Sequence, residues 1–216
     1  AHPEGRAQRY DIDAGERASI QLAVINSQAL ETPHEALEQL HIALARNQCL
    51  RCHTLYNAGG PPPELAGYFK EAVEVDLGNE GRLPPRLDQV GAKLHERAIR
   101  RVLLEGVTER PYLATRMPQF GERSVGHLSG LFEVLHGSPS DLDAPPFSGD
   151  DAEIGRQLAG TQGLGCVQCH FFNGTPSTGI PAIDLAHVQG RIKPAWFQQL
   201  LLDPKAVGMN SRMPVF

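Results

Sequence analysis

Apolar residues recur along most of this chain with a helical period. From Glu35 to Asn47, Leu37, Leu40 and Leu44 return with the small Ala36 and Ala43 behind a Thr32-Pro33 start signal. Ala152–Ala159, with Asp150 and Asp151 placed to cap it, predicts a second helix of this kind. Arg97–Leu104 carries Ala98, Ile99, Val102 and Leu103, and Ala195–Leu202 carries Trp196, Phe197, Leu200 and Leu201. In Ser124–Leu135, Val125, Leu128, Leu131, Phe132 and Leu135 form one stripe, stopped by Gly137. Residues 18–25 differ. There Ile20, Leu22 and Val24 alternate with period two and predict a short strand, either an arm packed against the first helical domain or the tail of an upstream domain. The expected fold class is all-α, with a short β arm at the N-terminus.

The helices fall into two copies of one order. In the first, a helix leads into Cys49-Leu50-Arg51-Cys52-His53. Pro85-x-Leu87-x-x-Val90-Gly91-x-Lys93-Leu94, a second helix and Arg116-Met117-Pro118-Gln119-Phe120 come after it. The later copy has Cys166-Val167-Gln168-Cys169-His170, Pro181-x-Ile183, Val188-x-Gly190-Arg191-Ile192, a helix and Arg212-Met213-Pro214-Val215-Phe216. Four correspondences in one order make a tandem repeat. The expected boundaries are an arm at 1–33, a first domain at 34–137, a Pro/Gly/Ser/Asp linker at 138–149 and a second domain at 150–216. The first copy has a long insert after His53, with Pro61-Pro62-Pro63 and several acidic residues, which reads as a surface loop with a helical turn near 65–75.

Composition narrows the classes. The chain of 216 residues is 41% hydrophobic and 21% charged, ordinary values for a folded protein. A net charge of −5 argues against nucleic acid or a bare anionic membrane as partner. The longest apolar runs, such as Leu200-Leu201-Leu202, fall far short of the ~20 residues that span a bilayer. All 4 cysteines lie inside the two C-x-x-C-H stretches, leaving none for a disulfide elsewhere.

C-x-x-C-H is the attachment signature of haem c. Two thiols a helical turn apart add to the vinyl groups of one porphyrin edge, and the adjoining histidine faces the iron. Two haem c groups are therefore expected, on Cys49 and Cys52 and on Cys166 and Cys169, with His53 and His170 as proximal iron ligands. A four-thiolate zinc site is the competing reading, but the wide separation of the pairs and the histidine after each fit it poorly. For the sixth ligand, thioether is a soft donor that favours ferrous iron. Met117 and Met213 stand in matching contexts. At the second iron Met209 and an open position are the alternatives to Met213. Arg116, Arg212, Lys93 and Arg191 are candidates for pairing with haem propionates, or are ordinary surface charge. Phe120, Trp196, Phe197 and Phe216 read as pocket walls.

A helix into C-x-x-C-H, a Pro-x-Leu segment, a second helix and a Met-Pro loop together resemble the class I cytochrome c family in tandem two-haem form. The resemblance implies a small all-α fold around each haem, His/Met iron carrying single electrons, and a periplasmic or other extracytoplasmic location. It also implies that a proline carbonyl, from Pro85 and Pro181, orients each proximal histidine. Redox proteins are the partners it implies, including a fused or associated dehydrogenase. The competing functional class is a two-haem peroxidase or a redox or gas sensor with one open iron. The resemblance further implies a closing helix after Phe216. On that expectation the chain is an excerpt of a longer protein, and apolar surface on the 152–159 helix lies uncovered.

Overall fold

The structure is a computed structural model and describes residues 10–27, 34–137, 148–207 and 212–216. The Thr32-Pro33 signal, Met209 and nearly all of the expected linker lie outside these residues. The chain divides into two compact units, Ala1–Glu35 and Ala36–Phe216. Among the described residues it is mostly helical, with one two-stranded sheet, and no helix is long and apolar enough to cross a membrane.

The first unit holds helix α1, Ala14–Ile25, where a strand was expected. A capping box explains the difference: the Asp13 carboxylate accepts from Glu16 N at 2.9 Å, and the Glu16 carboxylate accepts from Asp13 N at 2.9 Å. Ile20, Leu22 and Val24 alternate but stay exposed, so their period never reported burial.

In the second unit, α2 (Ala36–Arg46) buries Leu40, Ala43 and Leu44. A hairpin of β1 (Thr54–Leu55) and β2 (Ala58–Gly59) comes next, in the register Thr54↔Gly59, with Tyr56 at φ 53° in its turn. The insert continues as a 3₁₀ turn, Pro63–Tyr68, and α3 (Asn79–Arg82). Then come α4 (Val90–Lys93), α5 (Glu96–Glu105), α6 (Glu122–Val125) and α7 (Leu128–His136). The stripe expected over 124–135 is thus two helices broken at Gly126. Helix α7 packs on α2, α4 and α5. Leu40, Leu44, Leu55, Ile99, Leu103, Val125, Leu128 and Phe132 fill the core between them. Gly91 lets α4 meet α7 at backbone distance, since a Cβ there would stand 1.9 Å from Phe132 O.

Helix α8 (Gly149–Ala159) is capped by Ser148, with Asp151 completing a capping box rather than acting as the cap itself. It buries none of its residues; Ile154 is 54% and Leu158 49% exposed. Helices α9 (Val188–Arg191), α10 (Pro194–Leu202) and α11 (Pro204–Val207) are the last helices among the described residues, with Ile192, Trp196 and Pro204 buried.

Candidate functional site

Each C-x-x-C-H stretch folds the same way. The chain enters through a residue with positive φ, Gln48 at 54° or Gly165 at 72°, and makes a 3₁₀ turn over Cys49–Arg51 or Cys166–Gln168. His53 N donates to Cys49 O at 2.9 Å, and His170 N to Cys166 O at 2.9 Å. With three residues per turn, the two cysteines of a pair lie on one side of it. All four thiols are free and half-buried, and burial pushes the Cys49 thiol above its ordinary range. A buried, protonated thiol is a poor nucleophile or thiolate ligand. Among the described residues no three or more His, Cys, Asp or Glu side chains cluster as a metal cage. The four cysteines therefore do not gather as a thiolate zinc site would need.

Both histidines are oriented by the backbone. His53 Nδ1 lies 2.7 Å from Pro85 O and His170 Nδ1 lies 2.9 Å from Ile183 O. A nitrogen facing a carbonyl must carry the proton, which leaves the lone pair on Nε2, the atom then able to accept a hydrogen bond or ligate a metal. Burial holds His53 below its usual pKa, favouring the neutral ring; the Pro85 bond opposes this in part and the Arg110 charge adds to it. In the second copy the carbonyl is Ile183's and not Pro181's. The returning bond moves equally: Leu87 N donates to Thr54 O at 2.8 Å, whereas Leu185 N donates to Phe171 O at 2.9 Å. Relative to its proline, the segment facing the second histidine has slid by two residues, a step that keeps the same carbonyls on the histidine side.

Two carboxylates that sequence reasoning passed over pin these loops. Asp184 accepts from Asn173 N at 3.0 Å, Gly174 N at 2.7 Å and Ala186 N at 2.8 Å, which hold its pKa below the ordinary carboxylate value, Ala186 contributing most. Asp88 accepts from Tyr56 N and from Arg86 Nε. The signal was present: each Asp stands three residues after the proline of its copy, and its partner three residues after the histidine.

Cys49, Leu50, Met117 and Phe120 all pack against the first core, so thiol and thioether share one apolar surroundings. Met213 is half-buried, and Pro181 likewise. Arg116 donates to Leu113 O, and Arg212 Nη1 to Asp76 O at 2.6 Å.

The copies meet at the other cations. Lys193 N donates to Lys93 O at 2.9 Å and His95 N to Arg191 O at 3.0 Å. Lys93 Nζ stands 4.5 Å from the centroid of the Trp196 ring. Burial, with Arg110 and Arg191 nearby, lowers its pKa to about 8. Arg191 faces Glu109 at 3.6 Å and Arg110 faces Glu80 at 3.6 Å, while Lys93 has no carboxylate partner among the described residues. The charge of Arg110, which no motif singled out, is felt at both Lys93 and His53.

No protein-family model matches the chain, and neither a curated protein nor a solved structure matches it.

Proposed function

We propose that the chain carries single electrons on two covalently bound haem c groups, one per repeat, as a tandem cytochrome c of class I type. One observation carries the reading: in both copies the C-x-x-C-H turn recurs with its histidine Nδ1 engaged by a backbone carbonyl and Nε2 left as the ligating atom. The donor types suit the group: two thiols on one side of each turn, an imidazole whose Nδ1 faces a backbone carbonyl, and a thioether in each Arg-Met-Pro loop. Bound there, the haem supplies a one-electron couple, and the protein supplies ligands, burial and charge.

Cys49 and Cys52 hold the first haem by thioether bonds, with His53 and Met117 as axial ligands. Cys166 and Cys169 hold the second, with His170 and Met213. Lys93 and Arg191 offer charge for haem carboxylates, and Lys93 has no carboxylate ion-pair partner among the described residues. The reading implies maturation outside the cytoplasm. The net charge of −5, made more acidic by haem carboxylates, favours redox partners with basic rims, a fused or associated dehydrogenase among them.

The test is production of the chain in a host that matures haem c. Intact mass gives the haem count, and the ferric spectrum shows whether each iron has a methionine–iron band. Two covalent haems with that band support electron transfer. Carbon monoxide binding to native ferrous protein would instead assign an open iron and a peroxidase or sensor role. A chain that acquires no haem ends the reading.

A further inference from the structure

The insert of the first repeat pairs with the segment just before the first Arg-Met-Pro loop and bonds to the second loop at Arg212. On one side its residues 70–72 pair with residues 112–114, just before Met117: Glu71 and Leu113 form an antiparallel bridge, Ala72 N donates to Tyr112 O at 2.7 Å, and Ala114 N donates to Lys70 O at 3.1 Å. Phe69, Leu77 and Tyr112 are buried along this seam. The stretch that reads as a surface loop with a helical turn is mostly exposed, yet Phe69 and Leu77 anchor it.

On the other side the insert turns sharply at Asp76–Gly78. Glu71 Oε1 accepts from Leu77 N at 2.7 Å, Asp76 Oδ1 accepts from Gly78 N at 2.7 Å, and Gly78 sits at φ 66°. The turn presents Asp76 O to Arg212 Nη1 at 2.6 Å. Arg212 immediately precedes Met213, so the carbonyl that receives it lies in the other repeat. A charge-assisted bond of this length is among the stronger hydrogen bonds a surface offers.

We propose that the first-repeat insert is the positioning element for the methionine loop of the second repeat: Glu71 holds the Asp76–Gly78 turn, and the turn anchors Arg212 and with it Met213. Resting on the two-haem reading, this makes the second iron's sixth ligand depend on residues of the first repeat. Glu71 and Arg212 act through Met213 and are positioning residues.

The experiment uses the haem-loaded chain and compares Glu71→Ala, Glu71→Gln, Arg212→Ala and Arg212→Lys with the parent. The readouts are the ferric methionine–iron band and carbon monoxide binding to ferrous protein. Glu71→Ala and Arg212→Ala are expected to lose the band at one haem of the two and to bind carbon monoxide there, with the first haem unchanged. Glu71→Gln keeps an oxygen acceptor for Leu77 N and Arg212→Lys keeps a donor, so both are expected to restore the band. Full band intensity at both haems in both alanine variants overturns the positioning role and leaves the two-haem reading standing. A parent chain without covalent haem removes both.

Discussion

Leu94 and Ile192, which occupy the same place in the two repeats, pair with each other across an antiparallel bridge. A position that pairs with its own counterpart lies on a local two-fold axis. The flanking bonds obey the same symmetry, since His95 to Arg191 and Lys193 to Lys93 are one bond seen from either side. So do the helices: α4 packs on α10 and α5 on α9, each helix meeting the counterpart of its neighbour. The repeats thus join as an isologous pair within one chain.

The joint is fastened by one buried charge. Lys193 Nζ, with its side chain 5% exposed, meets both Glu133 oxygens at 2.6 and 2.8 Å. Removing the carboxylate strands the ammonium, so Glu133→Ala should cost about 2 kcal/mol in urea unfolding, below the usual loss for a broken buried pair because Glu133 half faces water. Lys193→Met, which removes the need for a partner, should cost far less.

Lys93 should give the chain a rising stability in mild alkali. Its pKa is lowered from 10.5 to about 8, chiefly by burial and then by Arg110 and Arg191, with Glu80 opposing. Below pH 8 the amine is charged whether the chain is folded or not, and folding bears the whole penalty. Between 8 and 10.5 the unfolded chain binds more protons, so stability climbs with pH. Lys93→Met should therefore stabilise the protein most below pH 8, the gain over the parent fading across that window in denaturant titrations at fixed pH steps.

Gly91 admits no side chain. Gly91→Ala would drive a methyl into Phe132 O and force α4 away from α7, so a loss of about 3 kcal/mol or outright misfolding is expected, seen as an early thermal transition. Gly130 on the same α7 has open space, and Gly130→Ala should be tolerated.

On the two-haem reading proposed above, Met117 should set the potential of the first haem. Met117→His exchanges a thioether that favours ferrous iron for an imidazole, and a redox titration should show that haem's potential falling while the other holds. An unchanged potential would remove Met117 from the iron.

Legibility in the sequence came from apolar spacing where a helix face is buried and from the acidic start where it is not, as in α8, which buries none of its residues. Helices α2 and α5 carry their apolar spacing because one face is in the core, and the spacing predicted each to within a residue at either end, whereas the buried stripe over 124–135 hid the break between α6 and α7. Helix α1 misled because its alternating Ile20, Leu22 and Val24 are all exposed; local capping by Asp13 and Glu16 decided its form. The histidine acceptor at Ile183 depends on the register of the backbone segment beside His170, which the Pro181 motif does not encode. Nor does any local pattern encode the Arg212–Asp76 bond, which spans both repeats. Asp88 and Asp184 were legible as a matched pair and needed only a comparison of offsets.

The two-residue slide beside His170 carries a rule for editing the chain. Backbone carbonyls along an extended segment alternate in direction, so the segment after each proline can move past its histidine only in steps of two. A slide of one would turn the nearest carbonyl away from the imidazole. The connection between histidine and proline is then free to differ in length, as it does between the repeats, provided that it delivers the segment on one of those marks.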